Sequence, residues 1–115
     1  MVQKKYKLQA SDMRPLTDLP GFCFATDDIT VKGKTVGYMY REASSKSEDS
    51  GWRFFSGDET DEEANDPSYL GLYSLNTIAN YDQSILPLLN SPFGTAFGKN
   101  AAGVFIKEPF FPEIG

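Results

Sequence analysis

Apolar and polar positions alternate over short runs of this chain, and each run is bounded by glycine, proline or a charged turn. That pattern predicts short strands. Phe22-Cys23-Phe24-Ala25 follows a Pro20-Gly21 turn and places Phe22 and Phe24 on one face. Ile29-Thr30-Val31 and Thr35-Val36-Gly37-Tyr38-Met39-Tyr40 read as the arms of a hairpin around Lys32-Gly33-Lys34. In the second arm Val36, Tyr38 and Tyr40 share a face, and Gly37 marks the close approach of another group. Trp52-Arg53-Phe54-Phe55 turns Trp52 and Phe54 inward and Arg53 and Phe55 to the other side, with Phe55 expected beneath a helical cap. Leu70-Gly71-Leu72-Tyr73-Ser74-Leu75 alternates Leu70, Leu72 and Ser74 against Tyr73 and Leu75. Residues 93–97 and 103–107 read as a closing hairpin, and Pro109-Phe110-Phe111-Pro112 as an extended end.

Polar segments separate these runs. Residues 43–50 are Ser-rich and read as a loop, and residues 58–68 form a charged connection closed by Asp66-Pro67. Asn76 is placed to cap a helical turn over residues 77–80, and Asp82 a second turn through Ile85 and Leu86. Pro87 keeps that second turn brief, and Asn90-Ser91-Pro92 ends it. The fold class is therefore α+β and β-rich: a twisted, mostly antiparallel sheet or partial barrel with one or two short helical turns over one end.

The 115 residues form a single domain, 1–115, of a size that buries roughly 65% of its unfolded surface without staples. An aromatic content of 14% supplies the core. Cys23 is the one cysteine, which excludes an internal disulfide and fits a reducing compartment. No segment approaches the ~20 apolar residues of a membrane span, and the basic start, Lys4-Lys5-Tyr6-Lys7, is not followed by the apolar stretch of a secretory signal. The expected location is cytoplasmic, with no membrane partner.

Charge is unevenly distributed. Residues 1–50 carry eight Lys/Arg against seven Asp/Glu, and residues 51–115 three against nine, within a net charge of −5. The negative half repels phosphate backbones, so nucleic acid is not the expected partner. Histidine is absent, which removes the commonest general base and every Ser–His or Cys–His nucleophile arrangement. Cys23 lies between two phenylalanines with no adjoining cation to lower its pKa, the setting of a structural thiol. No phosphate-binding glycine loop occurs, and no pair among the sixteen acids is singled out for catalysis. The expectation is no enzyme, no catalytic residue and no cofactor.

Asp58-Glu59-Thr60-Asp61-Glu62-Glu63-Ala64-Asn65-Asp66 places six carboxylates in nine residues. The spacing is wrong for a calcium loop and no glycine supplies its turn, so no metal site is assigned. Two readings of the run stay open: a solvated loop that keeps the domain soluble, and a docking surface that steers a basic protein. Under the second, Asp58, Glu59, Asp61, Glu62 and Glu63 contact the partner, with Phe55 as an aromatic anchor. A different class of function, a regulatory or housekeeping domain recognising a peptide or small ligand, would use a pocket near Trp52, Tyr73 and Asn76.

The blocks Val36-Gly37-Tyr38-Met39-Tyr40-Arg41-Glu42, Asp49-Ser50-Gly51-Trp52-Arg53-Phe54-Phe55-Ser56-Gly57-Asp58-Glu59 and Gly71-Leu72-Tyr73-Ser74-Leu75-Asn76-Thr77-Ile78 resemble a family of small bacterial proteins. So do Tyr81-Asp82-Gln83-Ser84-Ile85-Leu86-Pro87-Leu88-Leu89 and Ser91-Pro92-Phe93-Gly94-Thr95-Ala96-Phe97. That family, formerly a domain of unknown function, is immunity protein 33 of bacterial polymorphic toxin systems, and the resemblance spans residues 22–107. It implies a protein that binds and neutralises a cognate toxin by non-catalytic contact. It carries no catalytic residues. A toxin such as a nuclease, with a basic substrate cleft, would suit the acidic run.

Overall fold

A computed structural model describes residues 4–110. The strands are β1 (Phe22–Thr26), β2 (Tyr38–Arg41), β3 (Asp49–Phe55), β4 (Leu70–Ser74), β5 (Thr95–Lys99) and β6 (Phe105–Glu108). They form one six-stranded sheet in the order β4-β1-β3-β2-β5-β6. Among the described residues β1 and β3 pair in parallel and the other four neighbouring pairs are antiparallel. Among the described residues the sheet is not closed, with β4 and β6 at its edges, and with its few short helices the fold is α+β as expected.

Alternation along β3 decides the layering. Trp52 and Phe54 are 0% exposed, while Arg53 and Phe55 between and beyond them are only half-buried on the opposite face. Cys23 and Ala25 of β1 and Met39 of β2 join Trp52 and Phe54 in the core. Helix α3 (Leu75–Tyr81) closes this face with Leu75, Ile78 and Ala79, followed by a 3₁₀ segment, Gln83–Leu88, that contributes Ile85. The Trp52 indole N–H donates to the Leu89 carbonyl at 3.1 Å, so the largest core side chain leaves no polar atom unsatisfied. Burial of such a ring stabilises by roughly 2–3 kcal/mol.

The expected hairpin of residues 29–40 does not form. Ile29 and Thr30 belong instead to a helical turn, α1 (Asp27–Thr30), with Ile29 buried in the core. Two aspartates in its first turn favour a helix N-terminus electrostatically, and Gly33 N donates to the Ile29 carbonyl at 3.0 Å as the turn ends. The β-branched residues are thus overridden by local charge and tertiary packing. Strand β2 pairs with β3 and β5 instead. Val36 precedes the strand and lies in the core, whereas Tyr38 and Tyr40 face the other way, so the three do not share a face. Gly37 meets its expectation, because a Cβ there would stand 2.0 Å from the Ser56 carbonyl oxygen.

Helix α3 begins two residues earlier than the Asn76 cap would allow. Ser74 is its cap, its hydroxyl accepting from Thr77 N at 3.1 Å. Asn76 lies inside the helix and clamps the N-terminal arm. Its side-chain oxygen accepts from Leu16 N (2.7 Å) and Thr17 N (3.1 Å), and its amide donates to the Arg14 carbonyl (2.9 Å). Asp82 caps the 3₁₀ segment as expected, accepting from Ser84 N at 3.0 Å, with Pro87 inside that segment. The closing hairpin is β5 with β6, and residues 93 and 94 fall in the turn before it. Asp49 and Ser50, expected in the Ser-rich loop, begin β3. The charged connection gains a short helix, α2 (Asp61–Ala64). Of the extended apolar end, Phe111 and Pro112 lie outside the described residues.

Candidate functional site

The sheet face opposite α3 is the unusual surface of this molecule. By strand register it presents Leu72 of β4, Phe22 and Phe24 of β1, Arg53 and Phe55 of β3, Tyr38 and Tyr40 of β2 and Ile106 of β6. Leu72 is 57% and Ile106 52% exposed, and the aromatics between them are half-buried. Phe55 therefore is not under the helical cap. It stacks on Tyr40 with ring centres 5.9 Å apart, and Tyr38 contacts both, at 6.2 Å from Phe55 and 6.0 Å from Tyr40. Together with Gly57, Glu59 and Ala64 these three rings line a cleft of about 440 Å³. In the sequence Tyr38 and Tyr40 read only as sharing a strand face with Val36; their place beside Phe55 comes from strand pairing that no local pattern encodes.

Arg53 anchors the middle of the same face. Its guanidinium makes a two-pronged pair with Asp49 (2.7 and 2.9 Å), reaches Glu42 at 2.8 Å, and lies 4.8 Å from the Phe24 ring centre. The Arg53 hydrogen bonds bring the Asp49 carboxyl down to a pKa of about 2 against the opposing effect of burial.

The acidic connection runs beside the cleft, and its carboxylates divide into two groups. Glu59 turns inward: it accepts from the Thr26 hydroxyl, from Ser56 N (2.8 Å) and from Gly57 N (3.0 Å). Glu63 is the partner in a capping box with Thr60, each side chain accepting from the other's backbone N–H at 3.0–3.1 Å. The Thr60-x-x-Glu63 spacing signals that box in the sequence. Asp58, Asp61 and Glu62 are exposed, and Asp58 lies 3.3 Å from Lys34 Nζ. Of the six residues read as partner-binding, Asp58, Asp61 and Glu62 offer their charge outward, Phe55 lines the cleft, and Glu59 and Glu63 shape the loop.

Behind the loop, Asp28 is 1% exposed and ties it to α1. Its carboxylate accepts from the Ser56 hydroxyl (2.6 Å) and the Tyr69 hydroxyl, and pairs with Lys32 at 3.3 Å. Burial opposes its ionisation, but the hydrogen bonds from Ser56, Tyr69 and Lys32 outweigh it and keep its pKa below the usual carboxylate range. Burial, together with the Asp28 hydrogen bond, pushes the Tyr69 phenol up to about 12.

Trp52, Tyr73 and Asn76 are engaged elsewhere. Trp52 has no exposed surface, the Tyr73 hydroxyl is 3.1 Å from the Thr30 hydroxyl, and Asn76 holds the N-terminal arm. The Cys23 thiol is buried, approaches the Tyr73 carbonyl at 3.4 Å, and has its pKa driven upward chiefly by burial. Among the described residues no group of three or more His, Cys, Asp or Glu is arranged to hold a metal ion, and no helix is long and apolar enough to cross a membrane.

Neither a curated protein nor a solved structure matches the chain. The model of the immunity protein Imm33 domain matches residues 23–108, a span that opens in β1 and closes with β6 and so contains all of the sheet but Phe22, together with α3 and the acidic connection. The chain belongs to the Imm33 immunity-protein family.

Proposed function

We propose that this protein binds a cognate bacterial toxin and neutralises it by non-catalytic contact, through the open sheet face and the acidic connection beside it. One observation carries the reading: an aromatic cleft formed by Tyr38, Tyr40 and Phe55 adjoins a loop whose outward carboxylates are Asp58, Asp61 and Glu62. Aromatic anchors within a charged rim are the composition of a protein interface. The Imm33 membership supports a toxin as the partner, and the charge favours one with a basic surface, such as a nuclease met in the cytoplasm. Contact rather than bond-making is supported by the absence of histidine and the sealed thiol of Cys23.

Co-expression with a toxin whose gene adjoins its own tests the reading: the pair should co-purify and this chain should restore growth. Reversing Asp61 and Glu62 to Lys should slow association by about 10-fold at low salt and flatten its salt dependence, since steering of this kind changes on-rates by ~10–10³. Unchanged association with that toxin would remove the loop from the interface.

A further inference from the structure

We propose that the cleft between Tyr38, Tyr40 and Phe55 receives a cationic side chain, arginine or lysine, of the protein partner. The inference rests on the toxin-binding reading and deepens it by naming what the partner inserts.

Three features of the cleft select a cation. First, its walls are three ring systems in mutual contact, with Tyr40 and Phe55 inclined by 14° and Tyr38 tilted by 45–47° against them. Tyr40 also meets the Phe110 ring at 5.8 Å, so an occupant rests over this cluster of rings, and aromatic faces attract guanidinium and ammonium groups.

Second, the cleft holds a fixed negative charge. Glu59 lines it, and among the described residues its carboxylate accepts from neutral donors, Thr26 Oγ1 and the backbone N–H groups of Ser56 and Gly57. Those bonds orient the carboxylate without cancelling its charge. The Glu108 carboxylate lies over Gly98, the β5 residue paired with Tyr38. Asp61 and Glu62 extend the same sign along the loop, while Asp58 is paired with Lys34.

Third, the nearby cations are committed elsewhere. Lys34 pairs with Asp58 and Asp28, and Arg53 with Asp49 and Glu42. An apolar occupant would bring no charge to answer Glu59, and an anionic one would be repelled. Arginine suits the space better than lysine, because its planar, weakly hydrated guanidinium stacks on aromatic faces.

The test needs no toxin at first. N-acetyl-arginine methylamide, N-acetyl-lysine methylamide and their norleucine counterpart are titrated against the full chain while the ring resonances of Tyr38, Tyr40 and Phe55 are followed by NMR. Saturable shifts at those rings with the two cationic probes, at least tenfold weaker with norleucine, and lost in Phe55→Leu or in Tyr40→Leu, support the proposal. Equal binding of norleucine, no saturable shift, or shifts that survive both variants would overturn it. With the co-expressed toxin, the same variants should weaken binding by roughly tenfold. Probe binding without any toxin binding would sink the toxin reading alone. Toxin binding that ignores both variants, with no probe binding, would sink the cation cleft alone.

Discussion

The two faces of the sheet are built from alternate residues of the same strands, and they have opposite fates. In β3, Trp52 and Phe54 disappear beneath α3, while Arg53 and Phe55, one position along, stand on the open side. In β2, Met39 is sealed and Tyr38 and Tyr40 are half-buried. The covered face is apolar apart from groups with fixed partners, such as Asp82, which bonds Val36 N at 3.0 Å and Lys99 Nζ at 2.5 Å. The open face mixes rings with charges that reach solvent. A sheet packed on one side draws most of its burial from that side, which leaves more freedom for the residues of the other side to be selected for contact.

The widest separation between the faces should appear on truncation. Trp52→Ala removes a side chain with no exposed surface and an indole N–H bonded to Leu89. It should cost about 3–5 kcal/mol in urea unfolding. Phe55→Leu, one pleat away, should cost no more than about 1.5 kcal/mol by the same measurement. Equal losses at the two positions would mean that the open face is part of the folding core. Asp82→Asn comes next. It leaves Lys99 beside a neutral amide in a largely buried site and should destabilise by roughly 2–4 kcal/mol.

How far these faces could be read from sequence differs by element. The alternation of Trp52-Arg53-Phe54-Phe55, the Asp82 cap and the closing hairpin were legible because each is set by residues adjacent in the chain. The parallel pairing of β1 with β3 was not, since its partners lie far apart in sequence and nothing local specifies the register. Ile29 and Thr30 read as strand on β-branching, yet two first-turn aspartates and a place in the core make them helical. Asn76 is a good cap by residue type, but Ser74 two positions earlier takes that role and frees Asn76 to clamp the arm. At the site, the acidic run was visible and its division was not. Glu59 turns inward because Thr26, 33 positions away, supplies a donor, whereas the Glu63 box lay open in the Thr60-x-x-Glu63 spacing.

Acid should sharpen the comparison further. Asp28, Asp49 and Asp82 all have folded pKa values below their unfolded ones, Asp49 at about 2. A depressed carboxyl pKa contributes stability that is complete above the unfolded value, ~3.9, and is lost as pH falls through the folded value. Urea midpoints measured from pH 7 downward should therefore stay level to about pH 5 and fall between about 4 and 2. In Asp49→Asn, which removes the open-face member, the decline over that interval should be shallower than in the parent. An identical slope would show that Arg53 gains nothing from Asp49 in the folded state.

The smallest effects separate the carboxylates of the acidic connection from one another. Asp61 and Glu62 project from α2 into solvent, so Asp61→Asn and Glu62→Gln should change stability by no more than ~0.5 kcal/mol while each slows association with a basic partner. Glu63 is different. Its side chain accepts from Thr60 N and completes the capping box, so Glu63→Ala should loosen α2 by about 0.5–1 kcal/mol. The three variants each remove one negative charge, and steering depends on charge more than on its carrier. If association slows equally in all three while only Glu63→Ala lowers the urea midpoint, the loop acts as a field on a rigid support. If Glu63→Ala alone slows association, the shape of α2 and not its charge is what the partner meets.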